Sequence, residues 1–152
     1  MPMPWTYRHA SREWRAILDD AKDQMHLSSD NMAYTAIDAV FQVFRVRLTA
    51  AQGLAFASIL PTVPRAIFVA DWDVTSEPRP FLDRNSLVAE AKAVRPHHNL
   101  TPDNAIEATA FALRRAVPVR EFERVMKSLP QEARDFWDLP GVPPEDLAPR
   151  IV

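Results

Sequence analysis

The chain has 152 residues, 47% of them hydrophobic and 25% charged, with a formal net charge of −2 at pH 7, which fits one globular domain. A charge this close to zero excludes proteins that depend on long-range attraction to nucleic acid or to an anionic membrane. The lack of cysteine excludes disulfides, thiolate metal sites and cysteine nucleophiles.

No apolar run approaches the ~20 residues of a membrane helix, and residues 1–5 do not begin a signal peptide, so we expect a cytoplasmic protein without a membrane span. The two glycines, Gly53 and Gly141, cannot build a phosphate-cradling loop, and their scarcity argues against many tight hairpins. The 14 prolines lie mainly between apolar runs. This composition predicts helices separated by prolines.

The first helix is predicted from about Ser11 to Met25. Its apolar residues recur at helical spacing: Trp14, Ile17, Leu18 and Ala21. Its charges oppose the helix dipole, because arginines lie near its start and aspartates near its end. Local pairs such as Arg15 with Asp19 would compensate these charges, and the alternative is a neighbouring element or protomer.

The second helix is predicted from Ser29 to about Arg47. Ser28 can cap it, and Asp30 favours the positive first turn. Its broad apolar face contains Ala33, Ala36, Ile37, Val40, Phe41, Phe44 and Leu48.

Thr49 and Gln52 form a capping box for a third helix, predicted from Ala50 to Leu60. This helix is apolar nearly all round from Leu54 onward, so we expect it to be central in the bundle. Prolines end it and start a short helical segment through residue 69. A polar, proline-containing linker follows over residues 71–82.

The second half of the chain opens with Asp83 as a helix cap. A longer, alanine-rich helix is predicted over residues 102–116, with Thr101 as its cap and Pro102 at its first position. The next helix has a narrow inward stripe: Phe122, Val125, Met126 and Leu129. Residues 139–152 read as an extended tail.

The two halves resemble each other. An offset of 69 residues aligns Arg45 with Arg114, Gln52 with Glu121, Leu60-Pro61 with Leu129-Pro130, and Arg65 with Arg134. The segment 27–31 matches 100–104 at an offset of 73, so the second helix of the first half should be about one turn longer than its counterpart.

We therefore predict an all-α helical bundle of two tandem, pseudo-symmetric repeats with about three to four helices each. The single domain, residues 1–152, divides into repeat one (about 11–70), the linker (71–82), repeat two (about 83–138) and the tail (139–152). We expect the repeats to share one core, in which large side chains pack against the small faces of the alanine-rich helix. The first repeat supplies these large side chains: Phe41, Phe44 and Phe56.

Several of these residues also carry a family resemblance. The positions are Leu60-Pro61, Arg65, Trp72 after a short helix, the linker, and then Leu129-Pro130 with Arg134 and Trp137. Over roughly residues 10–138 the chain resembles the bacterial family named domain of unknown function 2267. The resemblance implies an all-helical duplicated bundle and brings no activity and no catalytic residues.

The His97-His98 pair is a candidate metal site, but zinc needs three or four converging ligands, and only Glu90 or Asp103 could add to the pair. We interpret the pair as a solvated turn and expect no bound metal or cofactor. Ser58 and Ser128 lack a histidine partner in any recognisable motif, so neither is predicted to be a nucleophile.

Asp71-Trp72-Asp73 can be read as a pair of acids, but carboxylates on either side of one tryptophan point apart. We interpret the tryptophan as a buried anchor for the linker. No catalytic residue is predicted anywhere in the chain.

A basic stripe is the candidate interaction surface. Its members are Arg114, Arg115, Arg120, Arg124 and Lys127. Basic stripes can bind phosphates, but glutamates interrupt this one and no aromatic platform lies on the same face. A solvated helix face is the favoured interpretation, with nucleic acid or an acidic protein partner as alternatives.

The sequence favours a non-catalytic module that acts through protein contacts and forms a homodimer, since small bundles commonly form symmetric dimers. The alternative is a small-ligand site, or an enzyme whose site is hidden, in a pocket between the repeats. Nucleic-acid binding through the basic stripe is less favoured. A deep polar pocket between the repeats would support ligand binding, whereas a filled seam would support the interaction module.

Overall fold

The computed structural model describes residues 1–97 and 101–149, and over those residues it contains helices and no strand. The prediction of an all-α protein is therefore confirmed. His98, Leu100 and residues 150–152 of the predicted tail lie outside the described residues. The helices, in chain order, are α1 (Trp5–Arg8), α2 (Ala10–Met25), α3 (Asp30–Arg45), α4 (Ala50–Ser58), α5 (Thr62–Val69), α6 (Arg84–Ala93), α7 (Ala105–Arg114), α8 (Val119–Ser128) and α9 (Gln131–Phe136), followed by a 3-10 helix (Pro144–Leu147).

Polar side chains begin several helices as the sequence predicts. Thr49 Oγ1 accepts from the backbone N–H of Gln52 at 3.1 Å, and the Gln52 side chain accepts from the Thr49 N–H at 2.9 Å, which completes the capping box. Asp83 accepts from the N–H of Ser86 at 2.9 Å. The cap of α3 is Ser29 rather than Ser28, because α3 begins one residue later than the sequence signal suggested.

The start of α7 differs from the prediction. Thr101 and Pro102 precede the helix, and the residue before its first turn is Asn104. The Asn104 side chain donates to the carbonyl of Gln24 at 2.9 Å and so joins the end of α2 instead of capping α7. As a result α3 has 16 residues and α7 has 10, a larger difference than the single turn predicted. The tail also differs, because it contains the 3-10 helix.

The reversed charges of α2 are compensated both within the helix and by α3. Arg15 bonds Asp19 at 3.3 Å and Asp30, at the start of α3, at 2.6 Å. Lys22 contacts the same Asp30 carboxylate at 2.8 Å. The hydrogen bond from Arg15, and then that from Lys22, hold the pKa of Asp30 well below its usual range. Both interpretations made from the sequence therefore contribute.

The buried apolar side chains form one contiguous cluster with members from both sides of residues 71–82. Its centre is aromatic. Trp137, fully buried, stacks on Phe56 with a centroid distance of 5.4 Å and an interplanar angle of 15°. Phe44 packs against Phe136 at 4.9 Å and against Trp137 at 5.0 Å. The phenylalanines of the first half therefore contact other aromatic rings, while α7 packs along α2 and α3.

The two Leu-Pro pairs occupy comparable places along the chain. Pro61 precedes α5 and Pro130 precedes α9, each directly after an inward-facing leucine. Leu60 is 1% exposed and Leu129 is 4% exposed, so both lie inside the core rather than one near its edge. The internal duplication itself stays a prediction from the sequence.

The linker is bound to α3 through a buried arginine. The Arg47 side chain is 1% exposed and donates to the carbonyl of Pro80 at 3.1 Å, to that of Val43 at 2.7 Å and to Glu90 at 2.8 Å. The backbone N–H of Arg79 also donates to the carbonyl of Val46 at 2.9 Å. One guanidinium thus joins the end of α3, the linker and α6.

We predict that Leu60→Ala destabilises the protein more than Leu129→Ala, within the range of about 2–5 kcal/mol for buried leucines. Leu129 ends a helix whose outer side carries exposed charges, so its surroundings can collapse more easily into the cavity. Urea denaturation followed by circular dichroism measures both variants. Each should show one transition, because the core is shared, and two separate transitions would contradict this.

We predict that Glu90→Gln lowers the free energy of unfolding at neutral pH by about 1–3 kcal/mol, because it leaves the buried Arg47 without a countercharge. Arg47 lowers the pKa of Glu90, so this stabilisation is fully present above the ordinary carboxyl pKa and is lost as the pH falls below that value and through the lowered pKa of Glu90.

Urea denaturation between pH 3 and pH 7 tests this, with Glu132→Gln on the exposed side of α9 as the control. The loss of stability toward acid should be shallower in Glu90→Gln than in the control. Equal slopes in the two variants would show that the pair does not couple to folding.

Candidate functional site

Three members of the predicted basic stripe lie on the exposed side of α8: Arg120, Arg124 and Lys127. Arg124 pairs with Glu121 of the same helix at 2.7 Å. The exposed stripe is therefore shorter than the sequence suggested, and one of its arginines already has a carboxylate partner.

The other two members turn toward the protein. Arg114 Nε donates to the carbonyl of Trp137 at 2.8 Å, and its guanidinium carbon lies 4.5 Å from the ring centre of Phe122. Burial lowers the pKa of Arg114. Arg115 bonds Asp20 at 3.3 Å. Both arginines lie at the end of α7 and fold their long side chains over neighbouring elements, so they do not extend the surface of α8.

Arg45, the counterpart of Arg114 in the sequence alignment, has the same kind of contact. Its Nη1 donates to the carbonyls of Phe68 at 2.9 Å and Ala70 at 2.8 Å, at the end of α5. Each arginine therefore reaches a carbonyl 23 residues further along the chain. The sequence marked both residues as repeat positions but did not indicate that Arg45 is buried and Arg114 half-buried.

The second aligned arginine pair differs in its contacts. Arg65 donates to the carbonyls of Ala57 at 3.2 Å and Leu60 at 2.9 Å, at the end of α4. In Arg134, Nε is buried and has no acceptor among the described residues. Only Arg65 therefore closes the end of the preceding helix.

Gly53 lies against the ring of Trp72, whereas Gly141 has no atom of a described residue within 4 Å of the place that a Cβ would take. A Cβ on Gly53 would lie 2.0 Å from Cη2 of Trp72, so the tryptophan ring can take this position only because residue 53 has no side chain. At the same offset of 69 residues, Phe122 aligns with Gly53 and Gly141 aligns with Trp72. The sequence alignment therefore pairs each glycine with an aromatic residue of the other half.

Two clefts lie beside the aligned arginines Arg45 and Arg114. The first, of about 600 Å³, lies between the end of α3, the start of α4 and residues 71–79, and Arg45, Leu48 and Trp72 are among its lining residues. The second, of about 380 Å³, lies between α8 and residues 138–147, and it is lined by Arg114 and Phe122. We call these the Arg45 cleft and the Arg114 cleft.

The predicted acids beside Trp72 have separate local roles. Asp73 accepts from the N–H of Thr75 at 3.0 Å and from the hydroxyl of Ser76 at 2.9 Å, and these bonds, led by Thr75, lower the pKa of Asp73. Asp71 has a left-handed backbone, with φ of 56°, where the chain leaves α5. Trp72 packs against the core but is half-buried, so it is less enclosed than the buried anchor that the sequence predicted.

The candidate nucleophiles and metal ligands have ordinary surroundings. The hydroxyl of Ser58 donates to the carbonyl of Ala55 at 2.7 Å, and that of Ser128 to the carbonyl of Val125 at 2.6 Å. His97 is exposed. Among the described residues, no group of three or more histidines and carboxylates could hold a metal ion.

The outer face of α4 is the main difference from the sequence expectation. Predicted to be central, α4 buries only Gly53, Phe56 and Ala57, and its Leu54 is 62% exposed. Ala51 and Ser58 are exposed on the same side. The helix has no charged residue, so an uncharged, largely apolar face is in contact with solvent. Hydrophobicity all round predicts burial, but within one chain only one side of α4 meets the core.

No described helix is both long enough and apolar enough to span a lipid bilayer. No curated protein sequence matches the chain. A family model described as "Uncharacterized conserved protein (DUF2267)" matches residues 14–136, most of the chain, in agreement with the resemblance seen in the sequence. The chain therefore belongs to the domain of unknown function 2267 family.

Proposed function

We propose that this protein is a non-catalytic cytoplasmic module that associates with a second copy of itself through the outer face of α4. The observation that carries the proposal is the exposure of Leu54 on a helix without charge. Exposed apolar patches with polar surroundings commonly mark protein interfaces. The lack of cysteine suits a reducing compartment, which is why we assign the cytoplasm.

The shape of this face supports a second copy as the partner. Ala51, Ala55 and Ser58 are small and lie three or four residues apart, so they share one side of the helix next to Leu54. In a twofold dimer each surface meets itself, and a face with one projecting leucine and adjoining small residues is complementary to its own copy. Leu54 of each protomer would pack between the small residues of the other.

The charge of the face supports the same partner. A symmetric interface brings identical residues close together, so like charges near the axis would repel each other. No residue of α4 from Ala50 to Ser58 is charged, so two copies can approach without this cost. The basic residues of α8 would repel their own copies across a symmetric interface, so that face favours solvent.

The filled seam supports an interaction module over a ligand-binding protein with a pocket between the halves. Phe136 and Trp137 from the end of the second half pack against Phe44 and Phe56 of the first. These rings occupy the space in which such a ligand would have to lie.

We predict that the protein sediments at twice its chain mass of 17.3 kDa at micromolar concentration, and that Leu54→Glu is a monomer with an unchanged circular dichroism spectrum. Removing two leucines from an interface loses about 3–6 kcal/mol. That loss weakens association by roughly two to four orders of magnitude. Analytical ultracentrifugation over a range of concentrations measures this.

The matched control is Leu82→Glu, which introduces the same charge at a linker position that is 46% exposed. This variant should stay dimeric. A monomeric original protein, or a Leu54→Glu variant that dimerises as well as the original, would rule out the proposed interface.

A further inference from the structure

The segment after α9 is the sequence counterpart of the linker after α5. At the offset of 69 residues, residues 71–80 align with residues 140–149. Each segment forms one wall of a cleft beside an aligned arginine, Arg45 in the first half and Arg114 in the second. The way in which each segment is attached to the helices can therefore be compared. We call residues 139–149 the strap.

The linker is held by an arginine that the second half lacks. The carbonyl of Pro80 accepts from the buried side chain of Arg47 at 3.1 Å, and the N–H of Arg79 donates to the carbonyl of Val46 at 2.9 Å. The residue aligned with Arg47 is Ala116, whose side chain has no donor. The second half therefore cannot hold the strap as the first half holds the linker.

Apolar contacts attach the strap to the helices. Leu139 packs against the core, and Leu139, Val142 and Leu147 are half-buried. Among the described residues, no hydrogen bond or ion pair joins the strap to a helix. Its backbone bonds lie within it, such as that from the N–H of Val142 to the carbonyl of Leu139 at 3.1 Å. A segment of this kind opens with a small free energy while the core stays folded.

Two clefts border the strap and show that it is loosely packed. The Arg114 cleft, of about 380 Å³, lies between the strap and α8. A second cleft, of about 500 Å³, lies between the strap and the side chains of Gln24, Phe111 and Arg115. Protein interiors are close-packed, so open space beside a segment means that few of its atoms contact the helices.

The backbone of the strap has the conformation of a proline-rich ligand. Pro143 has φ of −60° and ψ of 142°, and Ala148 has φ of −65° and ψ of 131°, both close to polyproline II. The helix surface that it faces is apolar and aromatic, with Val119 and Phe122 in one cleft and Phe111 in the other. Proline-rich segments dock on aromatic-lined grooves in this conformation.

We propose that the strap is detachable and that the surface beneath it, at the end of α7 and the start of α8, binds an extended, proline-containing apolar segment of a partner protein. The strap itself shows the chemistry that fits, because it lays apolar side chains against Val119 and Phe122. A second copy is a poor occupant, since its identical strap competes with one that is already tethered at high effective concentration. The site does not depend on the dimer proposed through α4.

Amide hydrogen exchange of the original protein tests the detachment. The N–H groups of Val142 and Asp146 are bonded within the strap, whereas that of Arg79 ties the linker to α3. After correction for intrinsic rates, the two strap amides should exchange at least about 100-fold faster than that of Arg79. Equal protection of the strap and the linker would overturn the proposal.

A fluorescein-labelled peptide with the sequence of residues 139–149 tests the docking surface by fluorescence anisotropy. Leu147→Ser loosens the strap of the protein, and this variant should bind the peptide at least about tenfold more tightly than the original, because the original strap leaves the surface free in few molecules. Adding Val119→Glu to Leu147→Ser should weaken binding more than about tenfold, because it places a charge on the apolar surface.

The linker offers matched controls for both substitutions. Val74 is 52% exposed and Val119 is 50% exposed, so Val74→Glu added to Leu147→Ser should leave peptide binding unchanged. Leu82→Ser, at a position that is 46% exposed, should bind as weakly as the original protein. A peptide of the same composition in scrambled order should not bind. Circular dichroism and melting curves establish that each variant is folded.

The proposal is overturned if Leu147→Ser does not bind the peptide, if it binds no more tightly than the original, or if Val74→Glu loses binding as Val119→Glu does. Sedimentation of Leu54→Glu tests the second copy as occupant. A concentration-dependent dimer of that variant, abolished by Val119→Glu, would show strap exchange between copies and overturn the assignment to a partner protein. Since Leu54→Glu removes the α4 face, failure of this site and failure of the proposed dimer are distinguishable.

Discussion

Hydrogen bonds from arginine side chains to the carbonyls at helix ends are the interaction on which this bundle depends. The last turn of a helix leaves carbonyls without partners, and many proteins satisfy them with a glycine that reverses the chain. This chain has only two glycines. Arg65 closes the end of α4, Arg45 that of α5 and Arg114 that of α9. Long cationic side chains thus serve several of the ends where the chain lacks glycine.

The use of arginine side chains in place of glycine at helix ends also explains why charged groups are buried in so small a protein. A guanidinium has five donors, so Arg47 can join α3, the linker and α6 from a side chain that is 1% exposed. Burial lowers the pKa of Arg45 and of Arg114, and the carboxylates near each of them offset this effect only in part. The two clefts lie beside these two arginines. The larger cleft, beside Arg45, has a glycine at the aligned position 53, and the smaller one, beside Arg114, has Phe122 there.

The outer face of α4 follows from the same packing. The aromatic cluster around Trp137 takes the inner side of α4, and Trp72 packs against Gly53. No described element then covers Leu54, although α4 has no charge to favour solvent. A helix that the chain leaves half covered is the feature that led us to propose a second copy as its partner.

The sequence by itself determined the helical class, the capping box at Thr49, the cap at Asp83 and the proline that follows each inward leucine. These features depend on residues three or four apart, so local rules are sufficient to find them. The prediction that α4 is central was wrong. Apolar residues all round a helix show that its whole surface favours burial, but they do not show whether the rest of the chain can cover every side of it.

Only the tertiary structure decided which arginines are internal. Arg114 and Arg124 look alike in a charge pattern, yet Arg114 reaches a carbonyl 23 residues away and Arg124 pairs within α8. The approach of Trp72 to Gly53, and the cleft that opens beside Arg45, depend on how the chain turns after α5. Contacts of this kind are set by the relative placement of whole helices, and no spacing within the sequence specifies that placement.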